Sequence, residues 1–254
     1  MCLEFLEEIL VQTGDSAILL LSAGVLVGLL HAFEPDHMTA MIAQVQSNKM
    51  KNQSTSRAGL GRTTLKNSLL GAVWGFGHTS MILLVSFAVL ILALSIPSAV
   101  FDGFEFVVGL VLVFLGISMY KKIHPHNTHT HPHKHEGGIV HTHPHKHESN
   151  HTHTHKSYLI GCLHGLAGSG GLIALSIVTV GDISGVLSFV LVFGLGSIIG
   201  MMVVSGTLSI PFHISHRFSR LRKYLQILAG TITIIIGLEI IYGLVTSGKL
   251  LAFI

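Results

Sequence analysis

Charge and cysteine are scarce in this chain. Only 11% of its 254 residues are Asp, Glu, Lys or Arg, too few to cover the surface of an ordinary water-soluble domain. The two cysteines, Cys2 and Cys162, have no paired spacing, so neither a thiolate cluster nor a disulfide framework is expected. Cys162 near His164 fits small-residue packing better than soft ligation. The chain has no Gly-x4-Gly-Lys-Ser/Thr loop, and so no phosphate cradle for an ATP-driven reaction. Segment 1–16 carries Glu4, Glu7, Glu8 and Asp15 but no Lys or Arg. It lacks the basic start of a cleaved signal peptide, and the apolar stretch behind it is expected to be retained. With a net charge of only +3 and no recognition module, no nucleic-acid partner is expected.

What the chain has is apolar length. Mean hydropathy is +0.66, and six stretches are long enough to span a bilayer: Ala17 to Val45, Asn67 to Ile96, Phe104 to Tyr120, Tyr158 to Val180, Ser184 to Ile210 and Tyr224 to Val245. The expected fold class is all-α, a polytopic membrane protein of six transmembrane helices. Lys and Arg resist translocation and so report sidedness. Lys49, Lys51, Arg57, Arg62 and Lys66 follow the first stretch, Lys121, Lys122, Lys134, Lys146 and Lys156 the third, and Arg217, Arg220, Arg222 and Lys223 the fifth. Lys249 alone falls on the other side, so both termini are expected outside and the loop after the third span in the cytoplasm of a cell-membrane protein.

The first span contains His31-Ala32-Phe33-Glu34-Pro35-Asp36-His37. Ionisable side chains at membrane depth are costly and mark function. In an unbroken helix, at about 100° per residue, His31 would point about 140° from Asp36 and about 120° from His37. Pro35 has no N–H to give the carbonyl of His31, so the helix is expected to open there. The opening would let imidazoles, carboxylate and a freed carbonyl converge, as in the broken helices of transporters.

The two halves can be laid over each other. Gly28-Leu29-Leu30-His31-Ala32 echoes Gly161-Cys162-Leu163-His164-Gly165, Gly75-Phe76-Gly77-His78 echoes Gly194-Leu195-Gly196-Ser197, and Gly109 with Gly116 echoes Gly230 with Gly237. Three spans per half turn the second half upside down, giving two inverted three-helix repeats. The domain reading is therefore an extracytoplasmic segment 1–16, a first repeat with the metal motif 17–120, a cytoplasmic histidine-rich loop 121–157 and a second repeat 158–254. Where the first repeat has Glu34-Pro35-Asp36-His37 the second has Ala167-Gly168-Ser169-Gly170, small residues that let backbones approach closely.

His78, in the second span, reaches a depth similar to that of His31. With His31, His37 and Asp36 it offers nitrogen and oxygen to a borderline divalent ion such as Ni²⁺, Co²⁺ or Zn²⁺. Glu34 could ligate, carry a proton or orient an imidazole. His164 and Glu239, the latter mid-way along the sixth span, are further candidates for a metal or proton pathway. Asp102 and Glu105 read as interfacial acids, and His213 and His216 as solvated loop residues. Thirteen of the nineteen histidines lie between His124 and His155. There Thr130-His131-Pro132-His133-Lys134-His135-Glu136 recurs as Thr142-His143-Pro144-His145-Lys146-His147-Glu148. Such a segment has no apolar core and is expected to be disordered without metal, buffering ions weakly through its imidazoles.

The first motif resembles the His-x4-Asp-His signature of the nickel/cobalt permeases, and Gly77-His78-Thr79-Ser80 is similar to that family's second helical motif. The resemblance implies that His31, Asp36, His37 and His78 take part in metal recognition or passage. A histidine-rich loop between two halves of a six-span layout resembles the related nickel/cobalt efflux proteins, which typically have glycine where this chain has Asp36. The acidic motifs of the later spans of the larger uptake permeases are absent, replaced by His164 to Gly171. The resemblance thus implies secondary transport of Ni²⁺ or Co²⁺ and leaves its direction open. The metal would be cargo rather than a permanent cofactor, and the expected partners are the ion, the bilayer and a cytoplasmic metallochaperone. No enzymatic activity is expected. Two other readings fit parts of the pattern: a membrane protein that holds nickel for a metalloenzyme such as urease without transporting it, and a His-x4-Asp acyltransferase with His31 as base. The second leaves His37, His78 and the loop unused.

Overall fold

The computed structural model describes residues 17–47, 57–90, 96–121, 130–134, 140–144, 154–180, 183–215 and 218–249. Cys2 and segment 1–16, the loop histidines His135, His145 and His147, His216, and the basic residues Lys49, Lys51, Lys122, Lys146 and Arg217 lie outside them. In chain order the elements are α1 (Ala17–His31), α2 (Pro35–Ser47), α3 (Arg57–Leu90), α4 (Ser98–Lys121), β1 (Thr130–Lys134), β2 (Val140–Pro144), α5 (Thr154–Val180), α6 (Ile183–Ile214) and α7 (Ser219–Thr246).

The first expected span is two helices. After His31 the chain turns, with the Phe33 N–H donating to the Leu30 carbonyl at 2.9 Å and the Glu34 N–H to the His31 carbonyl at 3.1 Å. Pro35 then opens α2 at the first helical position, where its missing N–H costs nothing. The Met38 N–H closes the new helix onto the Glu34 carbonyl at 2.9 Å. The expected free carbonyl of His31 is therefore not free, because the turn supplies a donor that an opened but continuous helix lacks.

Among the described residues four helical segments are long and apolar enough to cross a membrane: Gly59–Leu90, Ser98–Tyr120, Ile183–Ile214 and Arg220–Thr246. Helix α6 continues through Pro211, which forfeits only the bond to the Thr207 carbonyl near the helix end. His213, expected in a solvated loop, is consequently in the last turn of α6 and buried.

Helix α3 packs between α5 and α6, α1 lies along α6, and α4 runs beside α7. Val27, Ile82, Phe189, Val190 and Phe193 form one buried cluster, and Ala32, Met41, Trp74, Val108, Leu112 and Met201 another. Large apolar residues such as Phe114, Leu195 and Leu238 lie exposed on the outside of the bundle, the reverse of a surface made for water.

Glycine sets the closest approaches. A Cβ on Gly28 would run into the Phe193 carbonyl and reach 2.9 Å from the Ser197 nitrogen, and one on Gly161 would run into the Trp74 carbonyl and reach 3.1 Å from the His78 nitrogen. Between α4 and α7 the same construction meets the Gly237 oxygen at 3.0 Å from Gly109 and the Gly230 oxygen at 2.8 Å from Gly116. Only residues without a Cβ let helices meet backbone to backbone.

Within the histidine-rich segment the structure describes two short strands. Strands β1 and β2 pair antiparallel, with His131 opposite His143 and His133 opposite His141. A two-stranded ribbon draws its ladder from backbone groups that any sequence carries, so its alternation of His with Thr, Pro and Lys gave no apolar-face signal.

Candidate metal centre

The break between α1 and α2 ends one helix at His31 and starts a second at Pro35, just before His37. Their imidazoles, which a single helix would hold apart, meet with ring centroids 4.4 Å apart. His78 enters from α3, its ring 5.1 Å from that of His31 and 5.2 Å from that of His37. One ligand-type atom from each of the three lies within 4.8 Å of the others, and Glu34, Asp36 and His37 make a second such group. The Nε2 atoms of His31 and His78 are 3.2 Å apart. Two nitrogens bound to one ion at ~2.1 Å each are separated by about 3.0–3.4 Å.

The hydrogen bonds fix the tautomers. A carboxylate only accepts, so His37 carries its proton on Nδ1, which donates to Asp36 Oδ1 at 2.9 Å. His31 likewise donates from Nδ1 to Glu34 Oε2 at 3.0 Å. With its Nδ1 proton committed, a neutral His31 offers Nε2 as an acceptor, which His78 Nε2–H fills, leaving His78 Nδ1 bare; for both Nε2 atoms to hold one ion, that proton must shift to Nδ1. His164, on α5, donates from Nδ1 to the Ile160 carbonyl at 3.0 Å. The buried atoms without a partner agree: His37 Nε2, His78 Nδ1 and His164 Nε2. In the neutral rings each of these atoms is a lone pair with no protein donor facing it. Carboxylates that hold an imidazole Nδ1–H and leave Nε2 free are the arrangement in which histidine ligates metal.

Asp36 and Glu34 each accept from an imidazole Nδ1–H, and with His37 they also form the second group of possible ligands. The ring of His164 lies 5.4 Å from that of His37, adding a nitrogen from the second half of the chain. Glu239 is not brought to the others: it is exposed on α7 and does not line the cavity beside the cluster. Of the loop histidines, His131, His133 and His143 sit in the ribbon, away in sequence from these helices.

The sequence reading missed Trp74. It is fully buried, stacked on His78 at 6.1 Å and edge-on to His37 at 5.3 Å and to His164 at 5.0 Å. Its signal was present: the chain's single tryptophan lies four residues before His78, hence on the same helix face. Phe193 closes the far side, 5.3 Å from His31. The aromatic walls lower the local polarity and strengthen electrostatic interactions among the polar groups beside them.

Replacing Asp36 with Asn keeps the shape and removes the charge that holds the His37 tautomer. The expected result is Ni²⁺ binding weakened about 10- to 100-fold, measured by equilibrium dialysis of the purified protein. Unchanged affinity would exclude Asp36 from orienting His37.

A predominantly helical chain with four helical segments long and apolar enough to cross a membrane is, by class, compatible with a multi-pass membrane protein, and it encloses a buried, carboxylate-backed imidazole cluster. Over 231 residues it is 32% identical to the urease accessory protein UreH of Bacillus sp. (strain TB-90), an alignment covering 90% of this chain and 93% of that one. The chain belongs to the family of that protein. No family model matches it, and no solved structure matches it.

Proposed function

We propose that this chain is a multi-pass membrane protein that binds Ni²⁺, and by the same chemistry Co²⁺, at the imidazole cluster and carries it inward across the cell membrane as a secondary transporter. The observation that carries this reading is the convergence of His31, His37 and His78 within 4.8 Å at a helix break, with two carboxylates behind them. Imidazole nitrogen without thiolate suits Ni²⁺, Co²⁺ or Zn²⁺. Net cation movement costs little here, because a divalent ion entering gains about 4.6 kcal/mol for each 100 mV of inside-negative potential. Inward delivery also fits the name of the relative, since urease is a nickel enzyme and an accessory to it needs nickel inside. The histidine-rich segment, which on the basic residues lies in the cytoplasm with both termini outside, would collect the ion and pass it to a metallochaperone.

The architecture we propose is six spans in two inverted repeats, the first span being α1 with α2. The glycine contacts support it. A superposition that carries Gly28 onto Gly161 and Gly75 onto Gly194 also carries Phe193 onto Trp74 and Ser197 onto His78. It thereby exchanges the contact of Gly28 for that of Gly161. The Gly109–Gly237 and Gly116–Gly230 contacts exchange in the same way. His164 then corresponds to His31, so the second repeat retains one imidazole of the set.

The name of the relative also favours a second reading, in which the chain holds nickel for urease without moving it. Liposomes containing only this chain separate the two. With an inside-negative potential and no ATP, the transport reading expects Ni²⁺ to accumulate inside and the accumulation to stop when the potential is collapsed. Stoichiometric binding with no accumulation would establish the holding role instead.

A further inference from the structure

A cavity of about 640 Å³ opens beside the imidazole cluster, and its walls include His31, His37 and His164 as well as residues from the start of α4 and the end of α7. Phe101, Asp102, Glu105 and Val108 line it at the spacing of one helix face. Glu105 therefore lies about 4.5 Å further along α4 than Asp102. Across from them Gly248 adopts a left-handed φ of 71°, a conformation that L side chains rarely take. It turns the chain out of α7 and sets Lys249 over the cavity, where its Nζ lies 3.3 Å from Asp102 Oδ1. The Lys249 side chain is 53% exposed and that of Asp102 14%, so the ion pair sits at the rim with its acid turned in and its ammonium turned out.

The charges around this space are unequal. Glu34, Asp36, Asp102 and Glu105 line it against the single ammonium of Lys249. The same walls carry two buried ring nitrogens, His37 Nε2 and His164 Nε2, with no partner. Carboxylates at the rim and bare imidazoles behind them form a graded path for a cation, hard oxygen first and borderline nitrogen next. A cleft lined by one sign of charge with apolar walls also concentrates the opposite ion.

We propose that Asp102 and Glu105 form a staging site at which a divalent transition-metal ion loses part of its hydration shell before passing to the imidazoles, and that the Lys249 ammonium occupies this site until the metal displaces it. The proposal rests on the reading of the imidazole cluster as a metal centre. It makes Lys249 a competitor whose removal speeds arrival, whereas removal of the acids slows it.

Trp74 supplies the readout. It is the chain's one tryptophan and lies against three of the imidazoles, so a paramagnetic ion reaching them quenches its fluorescence. The experiment mixes the full-length protein in lipid nanodiscs with NiCl₂ in a stopped-flow instrument at low and high salt. For Asp102→Asn with Glu105→Gln we expect the second-order quenching rate to fall about tenfold at low salt, with most of the difference lost in 1 M salt and the final amplitude kept. For Lys249→Gln we expect a rate above wild type. Opposite signs exclude general damage to the fold, which would slow both. Wild-type rates in both variants, or a slower Lys249→Gln, would overturn the staging site while leaving the centre intact. Absence of quenching in the wild type would overturn the metal reading and this inference with it.

Discussion

Substituting His37 with Ala should abolish high-affinity Ni²⁺ binding, with a loss of at least about 100-fold and hence no transport at micromolar metal. Outer partners alone are worth 10- to 100-fold, and this change removes a nitrogen and also strands Asp36, whose Oδ1 loses the Nδ1–H at 2.9 Å. His37 touches every other member of the cluster, with ring contacts to His31, His78, His164 and Trp74, so no neighbour can move in without leaving its own partner. Isothermal titration calorimetry of the purified variant checks this, with thermal unfolding run alongside to establish that it is folded. A folded His37→Ala protein that binds Ni²⁺ as the wild type does would move the selective site elsewhere, and the histidine-rich segment would be the first place to look.

The other large effect is on folding. Gly28→Val and Gly161→Val should each prevent recovery of folded protein, or lower its stability by about 3 kcal/mol or more, the upper end of ordinary overpacking. The clash is with the Phe193 and Trp74 carbonyls, and main-chain atoms cannot rotate away as a side chain does. Helix α1 would have to lift off α6, or α5 off α3, along their whole shared length. Gly61→Ala is the control, because nothing lies within 4 Å of its added methyl and alanine favours the helix by up to about 1 kcal/mol. Size-exclusion chromatography in detergent, followed by thermal unfolding of whatever is monodisperse, distinguishes the two classes. Normal recovery of Gly28→Val would mean that α1 and α6 are not in backbone contact.

The break at His31 to Pro35 was legible because it is local chemistry: a proline and four ionisable residues within seven positions of an apolar run. That the imidazoles of His31 and His78, 47 residues apart, lie with Nε2 atoms at 3.2 Å depends on how α3 packs against its neighbours, and periodicity says nothing of that. The roles of Glu34 and Asp36 were ambiguous because a carboxylate near an imidazole can ligate or orient, and the structure shows each accepting from an imidazole Nδ1–H. Glu239 was singled out for its depth along a helix, but depth does not tell which way a side chain faces, and it faces outward. Asp102 and Glu105 were read as interfacial acids, and their connection to the cluster needed Gly248 to turn Lys249 back over them. The β1–β2 ribbon escaped notice because its pairing lies in the backbone rather than in the side-chain pattern.

The residues whose carbonyls receive Gly28 and Gly161 are Phe193 and Trp74, and these are also the residues whose rings wall the imidazole cluster. Each aromatic wall is thus seated on a main-chain stop rather than on a cushion of side chains. Side-chain cushions yield, because rotamers exchange and methyl groups shift by tenths of an ångström, whereas two backbones in contact have no slack to give. The cluster is accordingly a stiff enclosure of low mechanical compliance, held to size by the covalent dimensions of the helices themselves. Anything that lodges among its nitrogens is gauged against walls that do not deform to suit it.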